Sequence, residues 1–300
     1  MLSAAQIKAY HELGYILVEN AVAPNRLDRL KAITDEFISR ARGISRNNEV
    51  YDLEESHTPD NPRVRRLKEP VNCDPFYWEL VRSAGVIDPV RQLIGPNLRL
   101  HGSKLNMKFA QYGAAVEWHQ DWAFYPHTND DLLAVGVMLD DVVMENGPLL
   151  VLPGSHRGPI YSHHHRGYFT GAVNLETEQP ELSAAVPLTG KAGSMTVHHV
   201  RALHGSALNT SARPRRILFY EIAAADAWPL LSDLQNYRNY THFTERMIVG
   251  ISTLVPRVVP APIRMPMPIR RQPESIYDLQ SDAQKRAFGR YTAGEHENAT

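Results

Sequence analysis

The feature that most limits what this chain can fold into is a change of hydrophobic period near Leu98. Before it the apolar residues recur at helical spacing, most clearly Leu27, Leu30, Ile33, Phe37 and Ile38 within Pro24–Arg42. After it the apolar stretches are short and separated by Gly and Pro clusters, which is how strands and turns read. Candidate strands are Leu98–Ala110, Leu132–Val142, Leu149–Leu152, Ser194–His198 and Arg215–Ala223. A helical block followed by many strands predicts an antiparallel jelly roll backed by helices, a mostly β fold with a double-stranded β-helix (cupin-like) core. The expected organisation is one domain over 1–300. Residues 1–97 form a helical support, 98–225 the jelly roll, and 226–300 an extension with a proline-rich segment.

Local signals refine this outline. Ser3 with Gln6 is a capping box opening a helix over Ser3–Leu13, and Gly14 ends it. Tyr15–Val18 is a short strand, 43–63 a polar loop, and Pro75–Ile94 two short helices. The prolines of Val255–Ile269 exclude a regular helix or a central strand there. Ser275–Tyr291 is expected to be a last helix with a frayed tail.

Composition decides only what is excluded. A net charge of -1 gives no general attraction to nucleic acid or to an anionic membrane. With 43% hydrophobic residues the chain can bury a core. One cysteine, Cys73, builds neither a disulfide nor a thiolate metal site within one chain. The N-terminus lacks the basic and apolar regions of a secretory signal, and no apolar run reaches the length of about 18 residues expected of a membrane helix. The expectation is a cytoplasmic protein whose partner is a small molecule. Oligomeric state is not defined by these features.

Chemistry concentrates at His119-Gln120-Asp121. Alternate residues of an extended backbone point the same way, so this imidazole and carboxylate can reach one point. They supply two thirds of a 2-His-1-carboxylate metal site, or they make ordinary polar contacts. Trp118, Trp122 and Phe124 give the segment an apolar surround. The second imidazole is expected at His204; His198, His199 and the cluster His163-His164-His165 compete, the last being an adventitious metal binder or simply exposed. In Arg215–Glu221 alternation puts Arg215, Ile217, Phe219 and Glu221 on one face and Arg216, Leu218 and Tyr220 on the other. An arginine on a buried face needs an anion, and a dicarboxylic co-substrate would be one. The alternative is a surface pair with Asp or Glu. The basic run Arg63–Lys68 is either a solvated face or a source of Arg66 or Lys68 for an anionic ligand.

Taken together, His119–Pro126, Leu139-Asp140-Asp141, Glu145–Leu149, Pro153-Gly154-Ser155-His156 and His204-Gly205-Ser206 with Asn209 and Arg215 resemble the phytanoyl-CoA dioxygenase family of Fe(II)/2-oxoglutarate oxygenases in order and spacing. The resemblance covers most of 3–225. It implies that His119, Asp121 and His204 ligate Fe(II). It implies that Arg215 holds the C5 carboxylate of 2-oxoglutarate with help from Ser206, and that Asn106 touches the same co-substrate. O2 and 2-oxoglutarate would be consumed, an unactivated C–H hydroxylated, and succinate and CO2 released. It makes His156 a scaffold residue and Glu145–Pro148 a turn. One departure is Gly193-Ser194 where the family often has Gly-Asp, at a position that is not a ligand.

Candidate substrate contacts are Tyr112, Trp122, Phe124, Tyr125, His127, Lys108 and Glu221, each with core packing or snorkelling as the plain alternative. The segment after Pro229 matches no motif and is expected to cover the pocket mouth. Rival readings are a cupin-like isomerase or lyase without 2-oxoglutarate, an inactive binding module, and a halogenase. The halogenase would need the place that Asp121 fills.

Overall fold

The structure, a computed structural model, describes residues 1–111, 113–231, 240–273 and 275–288. Tyr112 therefore lies outside the described residues. The elements in order are α1 (Ala4–Leu13), β1 (Tyr15–Val18), α2 (Pro24–Arg40), β2 (Tyr51–Leu53), β3 (Val64–Lys68), α3 (Pro75–Val81), α4 (Ala84–Ile94), β4 (Leu98–Lys108), β5 (Val116–His119), β6 (Leu132–Met138) and β7 (Leu149–Val151). They continue with β8 (His164–His165), β9 (Tyr168–Phe169), β10 (Val186–Leu188), β11 (Met195–His199), β12 (His204–Ser206), β13 (Arg215–Ala224), α5 (Tyr240–Glu245), β14 (Met247–Val249) and α6 (Ile276–Gln280).

Two antiparallel sheets make the jelly roll. The larger runs β1-β11-β6-β13-β4-β3-β2, with β14 also on β4; the smaller runs β10-β7-β12-β5. Alternation along β13 explains how the larger sheet divides its two faces. Leu218, Tyr220 and Ile222 enter the main apolar core, where Leu30, Phe76, Leu80 and Val90 of the helices meet Leu105, Val135 and Val197. Ile217 and Phe219 face the other way, with Met138 and Val142, into the space between the sheets. The helices thus cover one face of the larger sheet and leave the other for the site.

The capping box at Ser3 and Gln6 forms, and Gly14 closes α1 at φ 82°. His156 packs against Gly14, where a Cβ would strike its ring, and its Nε2–H donates to the His11 carbonyl at 3.1 Å. His156 is therefore a scaffold residue, as expected.

Three expectations change. The loop predicted over 43–63 contains β2, and the basic run is strand β3, with Val64 and Leu67 fully buried. Their polar sequence hid them, because Asp52 is buried against Arg65 at 2.7 Å instead of solvated. The last helix is confined to Ile276–Gln280, and the chain beyond it is held by specific bonds. Gln280 accepts from the Glu117 amide at 2.9 Å and donates to the Gly171 carbonyl at 2.9 Å, while the Ala287 amide donates to Glu117 Oε2 at 2.8 Å. Residues 289–291 of the predicted helix lie outside the described residues. Val255–Ile269 contains neither helix nor strand, as its prolines require.

Candidate active site

The H-x-D triplet sits where β5 ends. His119 is its last residue, and Asp121 opens a 3-10 turn over Asp121–Ala123. The middle residue is pinned from both sides. The Gln120 amide donates to His163 Nε2 at 3.0 Å, and its side chain donates to the Pro159 and Arg201 carbonyls. The expected triple-histidine cluster is thus a brace: His163 and His165 are buried, not exposed.

β12 pairs with β5 so that His204 lies directly opposite His119. The two rings are 4.1 Å apart, and their Nε2 atoms lie 3.8 Å (His119) and 3.9 Å (His204) from the Asp121 carboxylate. One ligand atom from each of the three lies within 4.8 Å of the others. His119 Nδ1 meets the Glu117 carbonyl at 2.8 Å and His204 Nδ1 meets the Ala202 carbonyl at 2.9 Å. A carbonyl can only accept, so both rings carry their proton on Nδ1 and turn an Nε2 lone pair inward. Burial lowers the pKa of His119 to about 4 and that of His204 well below its usual value, keeping both neutral. For Asp121 burial works the other way, but the nearby Lys104 ammonium is the largest opposing influence and the carboxyl is held well below its usual range. Two lone pairs and a carboxylate facing one another in a dry pocket repel unless a cation sits among them. This N, N, O set fits Fe(II) and leaves coordination positions open. His198 adds a third buried imidazole, its ring 4.4 Å from that of His204 and its Nε2 3.6 Å from Asp121.

Deeper in the same cavity β13 pairs with β4 so that Arg215 lies opposite Lys108. Like charges directly across a ladder are destabilising. Both are buried, and no carboxylate of the described residues pairs with either. Burial lowers Arg215 to about 10, and burial together with Arg215 lowers Lys108 well below its usual value. Arg215 donates through Nε (3.0 Å) and Nη2 (2.6 Å) to the Gly147 carbonyl. Lys108 donates to Ser206 Oγ at 2.8 Å and to the Ala207 carbonyl. The turn over Glu145–Pro148 aims that carbonyl: Gly147 has φ 75°, and a Cβ there would sit 2.6 Å from the Ala207 oxygen. Arg216 shows the contrast, pairing with Asp140 at 2.8 Å and Asp35 at 2.6 Å on the other face. The surface-pair alternative thus describes Arg216, while Arg215 and Lys108 line the cavity with no carboxylate partner among the described residues.

Asn106 also lines this cavity, accepting from Arg66 Nε at 2.9 Å. Phe124, Tyr125 and Glu221 line an adjoining mouth with Arg66, Lys68, Lys104 and the extension residues Pro273, Ser275, Ile276 and Leu279. Glu221 binds Lys104 Nζ at 2.6 Å. Two expected contacts are corrected. Trp122 is buried in an apolar cluster with its indole N–H donating to the Pro262 carbonyl at 2.8 Å, so it packs instead of meeting a substrate. His127 is buried behind Tyr125, donating to its carbonyl at 2.7 Å, and is absent from the lining of either space. The sequence reading missed Lys104 and Tyr277. Lys104 shares a β4 face with Asn106 and Lys108, so alternation could have found it; Tyr277 lies in no motif.

A jelly roll that brings two histidines, an aspartate and an unpaired arginine to one cavity defines the iron- and 2-oxoglutarate-dependent dioxygenases. The chain belongs to the phytanoyl-CoA dioxygenase (PhyH) family, whose model matches residues 10–217. It is 38% identical over 281 residues to a probable alpha-ketoglutarate-dependent hypophosphite dioxygenase of Stutzerimonas stutzeri, covering 92% of this chain and 96% of that one. It is 35% identical over 203 residues to L-proline trans-4-hydroxylase of Streptomyces griseoviridis, covering 60% of this chain and 73% of that one. Among solved structures, EctD from S. alaskensis with bound Fe superposes with a TM-score of 0.63 at 26% identity, covering 75% of this chain and 77% of that one. The protein is therefore a dioxygenase that uses iron, 2-oxoglutarate and O2 on a small molecule. No helix of the described residues is long and apolar enough to cross a membrane.

Proposed function

We propose that His119, Asp121 and His204 hold the ferrous ion, and that Arg215, Lys108 and Ser206 take the C5 carboxylate of 2-oxoglutarate. Asn106 is placed to touch the same molecule. The observation that carries this is the pair of inward Nε2 lone pairs beside an ionised carboxylate, next to buried Arg215 and Lys108, which have no carboxylate partner among the described residues. When bound, the iron with 2-oxoglutarate and O2 supplies the oxidising chemistry: one oxygen atom goes to succinate, released with CO2, and the other enters the substrate X–H bond as X–OH. The chain's own residues orient and desolvate. Asp121 stays ionised, the two imidazoles stay neutral, and Phe124, 5.8 Å from the His119 ring, keeps that side apolar.

The substrate we propose is a small anion. After 2-oxoglutarate has met Arg215 and Lys108, Arg66 and Lys104 still face the mouth, and among the described residues only Lys104 of these two has a carboxylate partner, Glu221. Tyr125 and Phe124 complete the wall. Hypophosphite, which the S. stutzeri relative is named for, is the first candidate, its P–H taking the place of a C–H. The chain works as a single catalytic domain in the cytoplasm, with no nucleic-acid partner, in keeping with its near-neutral charge. Succinate release under O2 with hypophosphite, phosphite and small carboxylates, against uncharged analogues, tests the substrate class. Turnover of uncharged analogues only would refute the anion, and full activity of His119→Ala or Asp121→Ala would refute the ligand set.

A further inference from the structure

The extension returns to the deepest part of the cavity, beyond the residues matched by the family. Ile276 and Tyr277 line the same space as Lys108, Ser206 and Arg215. Tyr277 is only 9% exposed, and its hydroxyl has no hydrogen-bond partner among the described residues. Its ring is fixed by two guanidiniums, Arg65 at 4.5 Å and Arg66 at 5.3 Å from the centroid. Arg65 is itself anchored on Asp52. The strap that follows Tyr277 is tied down by the bonds of Gln280 and Ala287 to the strand that bears His119. A buried hydroxyl without a partner is costly, and the charged groups around this one are the cations Arg66, Arg65 and Arg215, with Glu54 the carboxyl group among them. Tyr277 and Arg215 are near enough for each to alter the other's proton affinity.

We propose that Tyr277 is a ligand of the co-substrate, its hydroxyl donating a hydrogen bond to the same far carboxylate that Arg215 and Lys108 receive, so that the C-terminal strap completes the 2-oxoglutarate pocket. This rests on the placement of 2-oxoglutarate proposed above. The phenol is a donor to an anion there, which adds a neutral, directional contact to two charges.

The test is binding to Mn(II)-loaded protein, followed by thermal shift and tryptophan fluorescence. The probes are 2-oxoglutarate and 2-oxopentanoate, which lacks the far carboxylate. Tyr277→Phe keeps the ring between its arginines. It is expected to weaken 2-oxoglutarate about tenfold or more, as for a lost hydrogen bond to a charged group. Affinity for 2-oxopentanoate and the melting temperature without ligand should be unchanged. An unchanged affinity for 2-oxoglutarate, or an equal loss for both acids, overturns the assignment of Tyr277 while leaving Arg215 in place. Failure of the wild type to bind 2-oxoglutarate at all overturns the pocket itself, and the role of Tyr277 with it.

Discussion

Arg215→Met separates a residue kept for a ligand from one kept for the fold. Burial holds the Arg215 pKa down at about 10. That corresponds to about 3 kcal/mol of penalty on its charged form in the ligand-free protein. Methionine removes this penalty and the repulsion from Lys108 across the ladder. It also removes both donors to the Gly147 carbonyl, a loss of about 1–3 kcal/mol. The two nearly cancel, so the ligand-free variant should melt within a few degrees of the wild type. Co-substrate binding does not cancel. Truncating one partner of a buried, hydrogen-bonded charge pair costs about 2–5 kcal/mol. Lys108 remains, which favours the lower half, so Kd should rise roughly 30- to 300-fold. Urea unfolding without ligand and 2-oxoglutarate titration of Mn(II)-loaded protein measure the two quantities. A variant destabilised by more than about 2 kcal/mol with an unchanged Kd would show that Arg215 is structural, and would refute the anion-hole reasoning.

Further predictions follow from the same contacts. Gly147→Ala puts a Cβ 2.6 Å from the Ala207 oxygen at φ 75°; stability should fall by about 1–3 kcal/mol and the KM for 2-oxoglutarate should rise, while a normal KM would show that the turn does not aim Arg215. His163→Phe strands the Gln120 amide; metal affinity should fall about 10- to 100-fold, read by isothermal titration with Mn(II). Glu54 is buried, and burial pushes its carboxyl up to about 7, above the ordinary 4.5. The folded state then holds a proton that the unfolded state has lost, so Glu54 erodes stability as pH rises from 4.5 to about 7. Glu54→Gln should therefore nearly match the wild type near pH 4.5 and exceed it by about 3 kcal/mol at pH 8; parallel stability curves across that range would refute this. Lys104→Met should raise the KM of an anionic substrate at least tenfold, because Lys104 lines the mouth, and an unchanged KM would refute its part in binding the anion.

Much of this was legible in the chain. The faces of β13 follow from alternation, which is why Arg215 and Arg216 could be assigned opposite surroundings before any coordinates. The capping box at Ser3 and the turn at Gly147 are local chemistry and read directly. Of the strands that build the smaller sheet only β7 was legible, within the candidate Leu149–Leu152. β5, β10 and β12 have three or four residues each, too few for a period to show. β2 and β3 were hidden because a buried ion pair makes their sequence look solvated. Trp122 and His127 were misplaced because an aromatic near a metal motif looks the same whether it faces the ligand or the core.

What the amino-acid order determined alone is therefore whatever depends on neighbours within a few residues. That includes the helical support, the change to strands at Leu98, the common direction of His119 and Asp121, and the inward face of β13. Only the tertiary structure decided which strands lie side by side. It set His204 opposite His119, put Lys108 across from Arg215, and returned Tyr277 to the cavity on a segment tied to β5 through Gln280, which lies 163 residues along the chain from its partner Glu117. The reason is physical: side-chain direction is set by the backbone of a single strand, whereas register and pairing are settled by the packing of distant segments around one core.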